Sequence, residues 1–149
     1  MHGPGFLQPT STFGADLNLI VQLLAGALLL VGVALVRRAR YAAHGACQST
    51  ALLVALVLTV LWMAPAFHEV YLDGLARRVL NRVNVAAVAH VVAGSAALLL
   101  GVWVALVAGT PLVPARWRFT DYKTWMRTLL AVWWLAILLG VATYWLSTH

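Results

Sequence analysis

Apolar residues gather in four long runs, Leu17 to Val36, Ala46 to Ala66, Val85 to Ala108 and Trp125 to Leu146, and nearly all of the charge lies between them. Each run is close to the ~20 residues that a helix rising ~1.5 Å per residue needs to cross a hydrocarbon core ~30 Å thick. The breaks are chemically plain. Arg37-Arg38-Ala39-Arg40 stops the first run, Pro65 and the polar stretch from His68 to Asn84 separate the second from the third, and Gly109, Pro111 and Pro114 end the third. Residues 1–16 then form a short outer segment and residues 67–84 an outer loop. In that loop Leu72, Leu75, Ala76, Val79, Leu80 and Val83 recur at helical spacing, with Arg77, Arg78, Asn81 and Arg82 on the other face. This pattern predicts a short helix lying on the membrane surface, its arginines snorkelling to water. The expected fold is therefore all-α, a single domain over residues 1–149. It is an integral membrane antiparallel four-helix bundle with an interfacial helix between helices 2 and 3.

Composition agrees and excludes a soluble domain: 63% of the residues are hydrophobic, 9% are charged and mean hydropathy is +0.90, far from the soluble average. The formal charge of +6 comes from ten basic residues in short clusters between the apolar runs. With no folded soluble surface left to build a groove, nucleic acid is not expected as a partner, and the clusters serve as topology signals. The first and third connections hold seven Lys and Arg against three in the second. That places both termini and the middle loop outside. Without an early basic cluster or a small-residue cleavage site, the first span is expected to direct its own insertion.

Candidate chemistry narrows to histidine. Cys47 is alone, so there is no intrachain disulfide and no c-type haem attachment. The four acidic residues, Asp16, Glu69, Asp73 and Asp121, lie outside the four runs, which argues against a carboxylate proton relay. No nucleotide-binding or nucleophile-elbow pattern is present, and no catalytic activity is expected of the chain alone. His90 sits five positions inside the third run, roughly 8 Å deep at ~1.5 Å per residue. Buried there, its imidazole needs a partner. His68 follows Pro65 at the outer end of the second helix, at similar depth, whereas His44 belongs to the inner face. Two imidazoles at one level on facing helices suit axial ligation of a haem iron. Gly94 one turn beyond His90, and Gly101 further on, leave room for a ring edge, and Arg77, Arg78 and Arg82 suit its propionates. The competing readings are that the glycines only let helices approach, that His90 only bonds a backbone carbonyl or a hydroxyl such as Ser95 or Thr59, and that Met63 joins the two histidines around copper. Trp62, Trp117, Trp125 and Trp145, near the ends of spans, read as interfacial belts.

The arrangement of Arg37-Arg38-Ala39-Arg40-Tyr41-Ala42-Ala43-His44, His68, Ala89-His90-Val91 and Gly140-Val141-Ala142-Thr143-Tyr144 resembles the four-span membrane family called domain of unknown function 420, over roughly Leu19 to Leu146. The resemblance implies a small accessory protein of the respiratory chain, in a bacterial-type inner (plasma) membrane, with other membrane subunits as partners and a role near haem-copper oxidase maturation. It also implies an outer histidine pair, here His68 and His90, and an inner pair. Of the inner pair His44 is present and Tyr122 stands at the other position, five residues before Arg127. The combined expectation is a haem b electron-transfer or assembly subunit. The alternatives are an oxidase assembly factor that handles haem or copper without keeping it, and a purely structural subunit.

Overall fold

The computed structural model describes residues 4–69, 81–118 and 120–149. Among these the fold is helical, without a β-strand, and built on α1 (Phe13–Arg37), α2 (Tyr41–Phe67), α3 (Arg82–Gly109) and α4 (Tyr122–Thr148). All four are long and apolar enough to cross a membrane. Each overruns its apolar run, and at the start of α1, α3 and α4 a polar residue just outside acts as the cap. Thr12 accepts from the Ala15 amide at the start of α1, Asn81 from Val83 at the start of α3, and Asp121 from Thr124 at the start of α4. Such caps satisfy amides that have no partner within the helix. The Thr124 hydroxyl and amide also hold the exposed Asp121 carboxyl below its usual pKa, so this cap weakens as pH falls through that lowered value.

The turn from α1 to α2 is closed by backbone bonds. Arg40 N–H donates to Leu35 O at 3.0 Å and Ala39 N–H to Val36 O at 3.1 Å, the two bonds of a Schellman motif. Ala39 carries the left-handed conformation, φ 56°, where glycine is usual. Farther along, α2 widens into a π turn over Thr59–Met63, with the Ala64 amide bonded to Thr59 O, immediately before Pro65. Pro65 has no N–H and its ring crowds the carbonyl four residues back, and a π turn is one known way of accommodating such a break.

The helices meet in a buried cluster made by Ala25 and Leu29 of α1, Ala51 of α2, Ala97 of α3, and Trp133 and Ile137 of α4. Half of these six are alanines, so the helix backbones approach closely, the habit of membrane helices. Helix α1 packs on α2 and α4, and α3 on α4 and α2. Outside this core the surface stays apolar. Leu24, Leu53, Val92, Leu99 and Leu138 are each more than 60% exposed, a surface that suits acyl chains and not water.

The surface helix expected between helices 2 and 3, with Arg77 and Arg78, falls on residues 70–80, outside the described residues. Its last two positions, Arg82 and Val83, belong to α3. Trp62, near the outer end of α2, packs on Gly14 in the first turn of α1 so closely that a methyl there would collide with its ring.

Replacing Ala39 by Gly relieves a left-handed residue that costs ~1–2 kcal/mol, offset by the greater freedom of Gly in the unfolded chain. The expected result is a gain of about 0.5 kcal/mol, read as a small rise in the thermal midpoint in detergent. A fall would show that the turn is not strained.

Candidate functional site: two cavities that share His90

Histidine Nδ1 atoms bridge helices at two places. His44 at the start of α2 lies 2.8 Å from Gly32 O of α1, and His90 in α3 lies 2.8 Å from Ala136 O of α4. A carbonyl only accepts, so Nδ1 carries the proton in each ring and, in the neutral ring, Nε2 keeps its lone pair. Glycine makes both approaches possible. A methyl on Gly32 would stand 2.5 Å from Gln48 Nε2 and 3.4 Å from His44 Nδ1, and one on Gly140 would stand 2.9 Å from His90 Cε1. Gln48 adds a long bond of 3.4 Å from its Nε2 to Leu29 O beside His44.

Two cavities open against the half-buried His90 ring. The larger, about 300 Å³, is lined by both His68 and His90, and by Gln22, Met63, Thr59, Gly94 and Ser95 among mostly apolar walls. Its volume is at the lower end of the ~300–1,000 Å³ usual for ligand pockets. His68 is exposed at its rim, and Met63 Sδ receives only weak contacts, 3.5 Å from Gln22 Nε2 and 3.8 Å from Thr59 Oγ1. The two glycines assigned to this site part company. Gly101 is packed, with Leu52 and Trp133 around it, whereas a methyl on Gly94 would meet nothing within 4 Å. Gly101 therefore serves helix approach, and Gly94 borders open space beside His90.

Arg82 is exposed at the first position of α3, about two helical turns from His90. Arg77 and Arg78 lie outside the described residues. His44, bonded to Gly32 O, and Tyr122, exposed at the first residue of α4, complete the sequence-derived set. Among the described residues no group of three or more His, Cys, Asp or Glu converges on one point, so any metal here would rest on two imidazoles and a different third partner.

The second cavity, about 200 Å³, is walled by His90, Gln22, Asn18 and the α4 residues Thr143, Tyr144 and Ser147, with Leu19, Trp62 and Val91 among its apolar members. Close to it lies a feature that sequence reasoning missed. Asp16, placed outside the first run, occupies the first turn of α1 and is fully buried. Its Oδ2 accepts from the Phe6 and Leu7 amides, both at 2.6 Å, and its Oδ1 from Ser11 Oγ at 2.5 Å and Tyr144 Oη at 2.7 Å. Four donors satisfy a carboxylate without a cation. The segment before α1 is folded back by these bonds, and Thr10 Oγ1 ties it to Thr148 O of α4 at 2.9 Å. The available signal was the position of Asp16 four residues after Thr12, in a first helical turn, where an acid complements the helix dipole.

Comparison with protein-family models, with curated proteins and with solved structures returns no match to this chain.

Asp16→Asn puts an amide N–H₂ against groups that themselves donate. At ~1–3 kcal/mol for a buried donor left unsatisfied, the expected loss of stability is about 2 kcal/mol, with faster amide exchange at Phe6 and Leu7. Unchanged protection of those two amides would show that the carboxylate does not hold the segment.

Proposed function

We propose that the chain is a multi-pass membrane protein, an antiparallel four-helix bundle with both termini outside, that binds one haem of b type between His68 and His90 as an electron-transfer or assembly subunit of a respiratory complex. The observation behind this reading is the state of His90. Its Nδ1 is committed to Ala136 O, and its ring lines the cavity that His68 also lines. Histidine ligands of metals characteristically donate their other ring proton to a carbonyl or carboxylate, which fixes the ring and raises the basicity of the free nitrogen. The Ala136 bond provides that second partner.

The residues present fit such a group in donor type. Two imidazoles face one apolar cavity, Gly94 leaves open volume beside it, and Arg82 stands exposed at the same helix end as His90. Haem, when bound, supplies one-electron redox chemistry. The residues of the chain bind and orient it: His68 and His90 as ligands, the apolar wall as a dry surround, Arg82 toward carboxylate groups. The buried cluster and the apolar exterior suit a rigid electron carrier or a subunit that docks against other membrane helices. An assembly factor that holds haem or copper in transit is the second reading. It is favoured by Met63, whose thioether borders the same cavity as the two imidazoles and would suit copper.

The full chain purified in mild detergent, after expression with haem supplied, is expected to give a sharp reduced-minus-oxidised b-type spectrum. Either His68→Ala or His90→Ala is expected to abolish it. A colourless preparation rejects the haem reading, and copper retained by that preparation and lost with Met63→Leu supports the second.

A further inference from the structure

Contacts between the helices fix which of their ends lie together. Asp16 of α1 bonds Tyr144 of α4, and farther along Gly26 lies against Trp134 and Ile137, so α1 and α4 run in opposite directions and Arg37, at the end of α1, comes level with the first turns of α4. Gly32 of α1 lies against His44 and Gln48 of α2, and Gly101 of α3 against Leu52 of α2 and Leu129 and Trp133 of α4. The turn from α1 to α2 and the connection from α3 to α4 therefore share one end. That end holds Arg37, Arg38, Arg40, Arg116, Arg118, Lys123 and Arg127, all exposed, against one acid, Asp121. The three remaining basic residues, Arg77, Arg78 and Arg82, are matched in number by Asp16, Glu69 and Asp73. The formal charge of +6 thus belongs entirely to one end of the chain.

Aromatic residues share its level. Tyr41 opens α2, Trp117 lies in the α3–α4 connection, and Tyr122 and Trp125 stand in the first turn of α4, all four exposed. Rings with an apolar body and a polar edge settle at the depth of lipid head groups, which puts the neighbouring cations within reach of phosphate. Beneath them the exterior turns apolar, with Leu30, Leu53 and Leu106 exposed, a surface for acyl chains. Arg118 is partly committed to the fold, because its Nε donates to Val113 O at 3.0 Å and its Nη2 to Thr110 O at 3.3 Å.

We propose that this end is a binding surface for the head groups of anionic phospholipids, which gather around the chain in preference to zwitterionic ones. Guanidinium groups pair with phosphate oxygens through two N–H bonds at once, and each basic side chain near a layer of negative head groups adds an attraction that salt screens. An acidic protein surface offers the same sign of charge. The aromatic level and the apolar flank beneath it favour instead a ligand that joins an anionic head to hydrocarbon tails in one molecule. His90 lies against Gly140, toward the opposite end of α4, so the surface is separate from the larger cavity and does not depend on what that cavity holds.

The test places the full chain in phosphatidylcholine vesicles that carry a trace of spin-labelled phosphatidylglycerol or of spin-labelled phosphatidylcholine, and reads the fraction of each label immobilised by the protein. Phosphatidylglycerol is expected to associate about threefold more strongly at low ionic strength, somewhat less than one basic residue beside a charged surface contributes. The preference is expected to fall toward parity in about 0.5 M salt, where the screening length is only a few ångströms. Replacing Arg38, Arg40, Arg116 and Arg127 together by Gln, all at exposed positions, is expected to remove most of it, with Arg118 kept for its bonds to Val113 O and Thr110 O. Equal association of the two lipids at low salt overturns the proposal and leaves the charge to an acidic protein partner. A preference that survives salt, or that survives the fourfold substitution, overturns it as well. If helical circular dichroism shows that the substituted chain does not fold, the salt titration of the native chain decides.

Discussion

A ring proton placed on the main-chain carbonyl of a neighbouring helix is the interaction on which this architecture turns. A helical carbonyl has already spent one lone pair on the amide four residues ahead, and its second lone pair is available to a donor that comes close enough. His44 and His90 each use that lone pair, at Gly32 and at Ala136. Each bond joins a pair of helices adjacent in the chain, α1 with α2 and α3 with α4, and those are the pairs in most extensive contact. In surroundings without water such bonds take the place of the hydrophobic effect, which does little to draw one apolar helix toward another in lipid. The glycines at 32 and 140 set the distance, because an added methyl would displace the amide or ring beside it.

Asp16 solves the opposite problem at the end of α1. A carboxylate is the least welcome side chain in an apolar setting, yet here it is fully buried and surrounded by donors from the chain segment that precedes it and from Tyr144. The desolvation of the acid and the ordering of residues 4–12 are thereby coupled, since neither is favourable without the other. The same arrangement turns the Tyr144 hydroxyl proton away from the second cavity, so its chemical character is set in part by a residue that does not line it.

What the amino-acid pattern reveals follows from how local each interaction is. The four spans are legible because a 20-residue apolar run needs no partner to be recognised, and their ends are misjudged by a few residues because the caps Thr12, Asn81 and Asp121 are polar and sit outside any apolar window. Gly94 and Gly101 look equivalent in the sequence. They differ only through the neighbours that face them, Leu52 and Trp133 for one and open volume for the other. His44 and His90 stand out as polar groups in or beside apolar runs, but their carbonyl partners lie 12 and 46 residues away. No spacing rule connects them. Asp16 was passed over because its four donors become neighbours only when the segment before α1 folds back and α4 arrives beside it.

The π turn at Thr59–Met63 alters the phase of everything beyond it. A turn that takes in one residue more than the regular helix rotates the downstream part by about 100° relative to an uninterrupted one. Phe67 and His68 therefore point along a different azimuth from the one their distance from Ala51 would assign, and a helical wheel drawn straight through α2 misplaces them. Winding the same residues as a regular helix would swing the imidazole of His68 about 100° away from the cavity it borders, whereas deleting one residue between Thr59 and Met63 would restore regular winding and leave His68 facing as it does.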